Sequence, residues 1–127
     1  MNSVALVFLG AGIGGALRHG VNLGAARLLG TAFPWSTLTV NIVGGFAMGM
    51  LAGWLALKAG EAWTQPVRLF FATGVLGGFT TFSAFSLDVV LLWERGAGAA
   101  AAAYVLVSVI LSIAGLLAGL YVVRVLT

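Results

Sequence analysis

Nine charged side chains are all that this chain of 127 residues sets against water: six Lys/Arg and three Asp/Glu. They are spread so thinly that four long apolar stretches run almost uninterrupted, over about residues 4–26, 36–57, 66–93 and 98–123. A spanning helix needs roughly 20 apolar residues, and each stretch is long enough. A soluble domain of this size exposes much of its surface and carries roughly 25% charged residues. Here 7% are charged and 61% are hydrophobic, which excludes both a water-soluble globule and a disordered chain. The sequence predicts an all-α membrane protein: a single domain of four transmembrane helices.

The punctuation agrees. Arg27, Lys58, Glu61, Glu94 and Arg95 sit in or beside the short connections. Trp35, Trp54, Trp63 and Trp93 fall near span ends, where an interfacial aromatic belt places them. Met1-Asn2-Ser3 lacks the basic start of a signal peptide, so the first apolar run is expected to remain as a span. With no Cys and a lone His19, thiolate sites, disulfides and multi-His metal centres are excluded. The net charge of +3 is scattered rather than clustered, which argues against a nucleic-acid partner.

Four crossings place both termini and the second loop on one side, with Lys58, Arg68 and Arg124; the other side holds Arg27 and Arg95, with Arg18 near it. The positive-inside bias is therefore close to zero. Either the chain inserts in both orientations, and so can pair with an inverted copy of itself, or a partner or one dominant loop sets its orientation.

The 19 glycines are about twice the usual share. Gly10/Gly14, Gly20/Gly24, Gly45/Gly49/Gly53, Gly74/Gly78 and Gly115/Gly119 have the spacing that lets helix backbones approach closely in lipid. So many small faces on four helices point to an oligomer. The run from Gly10 to Gly15 also fits the G-x-G-x-x-G dinucleotide pattern, but no acidic residue occurs before Glu61 and no βαβ context exists, so helix packing is the reading.

Polar side chains at membrane depth mark function or helix–helix hydrogen bonds. Thr37 and Asn41 share one face of the second span, and the Asn41 amide needs a partner or an ion beyond its own helix. Tyr104, Ser108 and Ser112 form a stripe on the fourth span that either lines a polar path or back-bonds to helix carbonyls. In the third span, Gly77-Gly78-Phe79-Thr80-Thr81 weakens a helix through backbone entropy and β-branching. Either the helix breaks there, leaving carbonyls that protein or an ion must satisfy, or it stays whole and the glycines serve packing. Phe82 and Phe85 share a face; they pack, or they turn positive ring edges toward a passing anion.

The run Gly77-Gly78-Phe79-Thr80-Thr81-Phe82-Ser83-Ala84-Phe85-Ser86, with Thr37-Leu38-Thr39-Val40-Asn41-Ile42-Val43-Gly44-Gly45 before it and Gly14-Gly15-Ala16-Leu17-Arg18 in the first span, resembles the Fluc/CrcB fluoride channels. The resemblance covers essentially the whole chain. It implies a dual-topology antiparallel homodimer in the cell inner (plasma) membrane, with the third helix broken near its middle. It implies a structural Na⁺ at the dimer centre, held by main-chain carbonyls of Gly77 and Thr80 from both subunits. It implies two fluoride pores, each using both chains, with Asn41 as a hydrogen-bond donor, Phe82 and Phe85 as the paired rings, and Tyr104, Ser108 and Ser112 as a polar track. Thr37, one turn before Asn41, and Arg18 are assigned to the same pore. Ala84 departs from the family pattern, where a hydroxyl residue is common, so it is not counted as a ligand. The implied activity is passive export of fluoride, which enters as its neutral acid and is trapped on dissociation; it requires no nucleophile or general base, so the protein is expected not to be an enzyme. The rivals are a small dual-topology multidrug-type transporter, which needs an intramembrane carboxylate for proton exchange, and a non-transporting bundle subunit. Glu61 and Glu94 are in or near loops and Asp88 lies toward the end of the third span, which disfavours the first; Asn41, Phe82 and Phe85 together disfavour the second.

Overall fold

A computed structural model describes residues 2–127, and among them every regular element is a helix. Four helical spans are long and apolar enough to cross a membrane: Ser3–Leu29, Trp35–Leu57, Thr64–Glu94 and Gly98–Leu126. The first begins at Asn2, whose side-chain oxygen accepts from the Val4 amide at 2.7 Å as an N-cap. It runs on through Arg27 and stops at Gly30, whose φ of 77° lies in the left-handed region that costs glycine nothing. Phe33-Pro34 then turns the chain into the second helix.

The third span is irregular. One α-turn, Thr64–Val67, leads into a wide segment, Arg68–Leu76, with π-type (i→i+5) hydrogen bonding, and a further turn covers Gly77–Phe79. Thr80 (φ −85°, ψ 159°) and Thr81 (φ −154°, ψ 123°) are extended, and a regular helix resumes over Phe82–Glu94.

Glycines set which spans touch. The first helix lies against the proximal part of the third span. A Cβ on Gly10 would come within 2.9 Å of Gly74 Cα, and one on Gly14 within 2.8 Å of the Phe79 nitrogen. On the opposite flank the second and fourth helices pair along their length. Added Cβ atoms on Gly49 and Gly119 would overlap the carbonyl oxygens of Leu116 and Phe46. In lipid this association rests on close van der Waals packing rather than on removal of apolar surface from water, so these near-contacts are what hold the bundle. Gly20 and Gly24 meet nothing within the chain and face outward.

The buried core is small. Val40 and Tyr104 are fully enclosed, Leu55 and Leu92 nearly so, while Phe8, Leu28, Leu106 and Leu126 are among many large apolar side chains left exposed. Apolar side chains cover the outside, as a bilayer requires. Trp54 and Trp63 stack with ring centroids 5.3 Å apart beside the second loop, and the Trp63 indole N–H donates to Glu61 at 2.8 Å, an apolar body with a wet tip at the interface.

Candidate functional site

Three side chains, those of Asn41, Thr81 and Arg18, bond the backbone in and beside the two extended residues of the third span. Asn41 reaches across from the second helix: its Nδ2 donates to the Thr81 carbonyl at 3.0 Å, and its Oδ1 accepts the Thr81 amide at 2.8 Å. Thr81 Oγ1 accepts from the Ala84 amide at 3.1 Å and so caps the distal helix. Arg18 Nε donates to the Gly78 carbonyl at 3.1 Å, placing a guanidinium on the C-terminal end of the proximal segment, where a helix dipole favours a cation. Gly44 lies against Thr80; any side chain there would overlap the threonine methyl.

The captured amides have a second effect. In a continuous helix the Thr81 amide would serve the Gly77 carbonyl, and the Ala84 amide the Thr80 carbonyl. Here they go to Asn41 Oδ1 and Thr81 Oγ1 instead. Two main-chain oxygens at membrane depth thus lose their helical donors, in surroundings where lipid offers no replacement.

Below this junction runs a groove of about 410 Å³. Asn41 and Thr81 stand at its polar end, Phe82 and Phe85 along one wall, and Ser108 and Ser112 along the facing fourth helix. The two phenylalanine rings are 5.5 Å apart at an interplanar angle of 44°. Phe85 is buried, but Phe82 is 77% exposed at the rim. The hydroxyls of Ser108 and Ser112 are buried and make no hydrogen bond at all. Other hydroxyls do back-bond: Thr39 donates to the Trp35 carbonyl and Ser86 to the Phe82 carbonyl. Back-bonding thus occurs both off the groove and on it, Thr80 to the Leu76 carbonyl included, but not at the serine pair of the fourth helix. A buried hydroxyl without a partner costs roughly 1–3 kcal/mol. Two such hydroxyls lie one helical turn apart on the fourth helix, beside the groove.

A second, more polar cavity of about 360 Å³ opens near the first loop. Arg18, Asn22, Thr37, Asp88 and Arg95 line it, together with Thr81, which thus borders both cavities. Arg95 donates to the Ala32 carbonyl and Ser36 to Asn22, tying the loop to the ends of two helices.

The sequence-predicted residues therefore divide. Asn41, Phe82, Phe85, Ser108 and Ser112 meet around the groove, while Arg18 and Thr37 belong to the second cavity, a vestibule beside the first loop. Thr80 is one of the two junction residues and also lines the groove, and Gly77 opens the short turn just before it. Tyr104 lines neither cavity. It is wholly enclosed, with its ring 5.1 Å from Phe85 and edge-on to Phe33 at 5.4 Å, and its hydroxyl donates to Asp88 Oδ2 at 2.9 Å. It backs the groove wall rather than facing the groove. Sequence reasoning passed over Thr81 as a side chain with its own role. Its signal was legible, since a Thr directly before the helical run from Phe82 is an N-cap pattern. Asp88 and Met48, the latter on the groove, carried no such signal.

Residues 5–120 match the family described as CrcB-like protein, Camphor Resistance (CrcB). Among curated proteins, the chain is 60% identical over 126 residues to the "Fluoride-specific ion channel FluC" of Methylobacterium nodulans, covering 98% of each chain. It is 57% identical over 122 residues to the protein of that name from Rhodopseudomonas palustris, covering 96% of this chain and 97% of the relative. With its namesake in Hyphomonas neptunium it shares 56% identity over 124 residues, covering 98% of this chain and 97% of the relative.

Proposed function

The chain belongs to the CrcB family, and from that premise we propose that it is a passive fluoride-selective channel of the cell inner membrane, working as a dual-topology antiparallel homodimer with two pores. The observation that carries this reading is the pair of unpartnered hydroxyls, Ser108 and Ser112, buried opposite Phe82 and Phe85 with Asn41 at the head of the same groove. A small dehydrated anion needs hydrogen-bond donors and must also be able to leave. Hydroxyls, an amide and the positive edges of aromatic rings stabilise it without the trapping depth of a full positive charge. Arg18, in the vestibule, would draw anions toward the junction from water.

The open flank of the groove and the rim position of Phe82 support completion of each pore by a second subunit. The near-even split of Lys/Arg between the two sides supports insertion in both orientations. We read the extended Thr80-Thr81 junction as the break of the third helix that the family pattern implies. The Gly77 and Thr80 carbonyls, deprived of their helical amides, are hard oxygen donors suited to Na⁺, and would hold it with their counterparts in the partner. A bound Na⁺ would supply a fixed positive charge between the two anion paths. No covalent chemistry is required. Asp88 is tied to Tyr104 at the vestibule end rather than standing free in the groove, which weighs against proton-coupled exchange.

The test is ion efflux from liposomes holding the purified protein. Fluoride should leave rapidly and chloride should not; a well-folded sample that passes no fluoride would overturn the assignment.

A further inference from the structure

We propose that Asn41 and Thr81 act together as the positioning pair that creates the cation site, by diverting the two amides that would otherwise close it. The inference rests on the reading that the Gly77 and Thr80 carbonyls hold Na⁺, and it names what keeps them available. Thr81 is the hub. Its amide and carbonyl are both taken by the Asn41 side chain, at 2.8 and 3.0 Å, and its own hydroxyl takes the Ala84 amide at 3.1 Å. Each captured amide releases one carbonyl four residues earlier. Without the Thr81 hydroxyl, the Ala84 amide can turn to the Thr80 carbonyl, its partner in a regular helix, and the distal helix can extend backward by one hydrogen bond. Thr80 is kept from following by its own contacts: its hydroxyl donates to the Leu76 carbonyl at 2.9 Å and its methyl lies against Gly44. The competition is therefore local to Thr81 and Ala84. Asn41 also lines the groove, so one side chain holds the cation-site backbone and borders the anion path.

The experiment compares Na⁺ binding by the full-length protein, wild type and Thr81 variants, in detergent with an organic cation as background electrolyte. It is read by radioactive Na⁺ equilibrium binding, beside size-exclusion and circular dichroism as checks of folding. Thr81→Val preserves shape and removes the hydroxyl; Thr81→Ser preserves the hydroxyl. Thr81→Val should weaken Na⁺ binding about fivefold, the factor that the worth of one N-cap sets, while Thr81→Ser stays close to wild type. Thr81→Ala takes the place of Thr81→Val if the latter does not fold, with the same expected loss. Equal Na⁺ affinity in wild type and in the hydroxyl-free variant overturns the role of Thr81. A Thr81→Ser variant as weak as Thr81→Val overturns it too, since the hydroxyl would then not be what matters. A folded wild type that binds no Na⁺ removes the cation reading itself, a distinct result from either.

Discussion

Removing the hydroxyl of Ser108 or Ser112 should push stability and conduction in opposite directions. Both oxygens are buried and unpartnered, so replacement by alanine deletes a polar atom without breaking a bond or opening a sizeable cavity. The desolvation cost that disappears is roughly 1–3 kcal/mol per hydroxyl. Part of it persists in any partly unfolded state that remains in detergent or lipid, so Ser108→Ala and Ser112→Ala should be as stable as wild type or more stable by up to about 1 kcal/mol. A hydrogen bond to a charged group contributes about 1.5–3 kcal/mol. Losing one of two such donors along a dehydrated path should slow fluoride efflux at least about tenfold. Ser86→Ala is the control, because that hydroxyl already donates to the Phe82 carbonyl and should not affect flux. The assays are fluoride-electrode efflux from liposomes and thermal unfolding of the same preparations. Wild-type efflux in both serine variants would refute the reasoning. So would a clear loss of stability without loss of flux, which would show that the hydroxyls are structural.

The two phenylalanines should separate by burial: Phe82→Ile, at an exposed position, should slow fluoride efflux with little change in stability, whereas Phe85→Ile, packed on Tyr104, should slow efflux and also lower the unfolding temperature. Both measurements at wild-type values would take the rings out of the path. Gly49→Ala forces a methyl into the Leu116 carbonyl and should cost about 1–3 kcal/mol or abolish the folded protein, while Gly24→Ala, with open space around it, should be neutral or stabilise slightly; size-exclusion yield and thermal unfolding distinguish them. Dual topology predicts that a single cysteine at position 58, introduced as Lys58→Cys, is labelled in about half the molecules from either face of an intact membrane. Labelling from one face alone would contradict it.

The four spans were legible because nine charges cannot interrupt 127 residues often enough to conceal where the apolar stretches begin and end. Glycine spacing also foretold close packing at Gly10/Gly14, Gly45/Gly49 and Gly115/Gly119, yet it made the same forecast for Gly20/Gly24, which touch nothing in the chain. Spacing says that a face is small and not what lies opposite. The polar stripe of the fourth helix shows the same limit. Periodicity aligns Tyr104, Ser108 and Ser112, but Tyr104 sits where Phe33 and Asp88 close over the helix and Asp88 takes its hydroxyl, while the serines are buried where no polar group reaches theirs. Those neighbours come from distant parts of the chain, and no local pattern announces them. Asn41 was recognisable as a side chain that needs a partner; that its partner is the backbone of Thr81, 40 residues on, is a tertiary fact.

Thr81 lines both the vestibule and the groove, so the two cavities meet at one shared residue. Water with its dissolved ions conducts, so the vestibule stays near the potential of the solution it opens to. On the proposed channel reading, the membrane voltage would then fall mainly over the path beyond Thr81 rather than over the full length of the helices. An anion carried across the whole of that voltage would gain or lose about 2.3 kcal/mol per 100 mV. In a working channel the field would thus act mainly along the groove where the serines, the rings and Asn41 stand, and displacements there would carry much of the electrical work of transport.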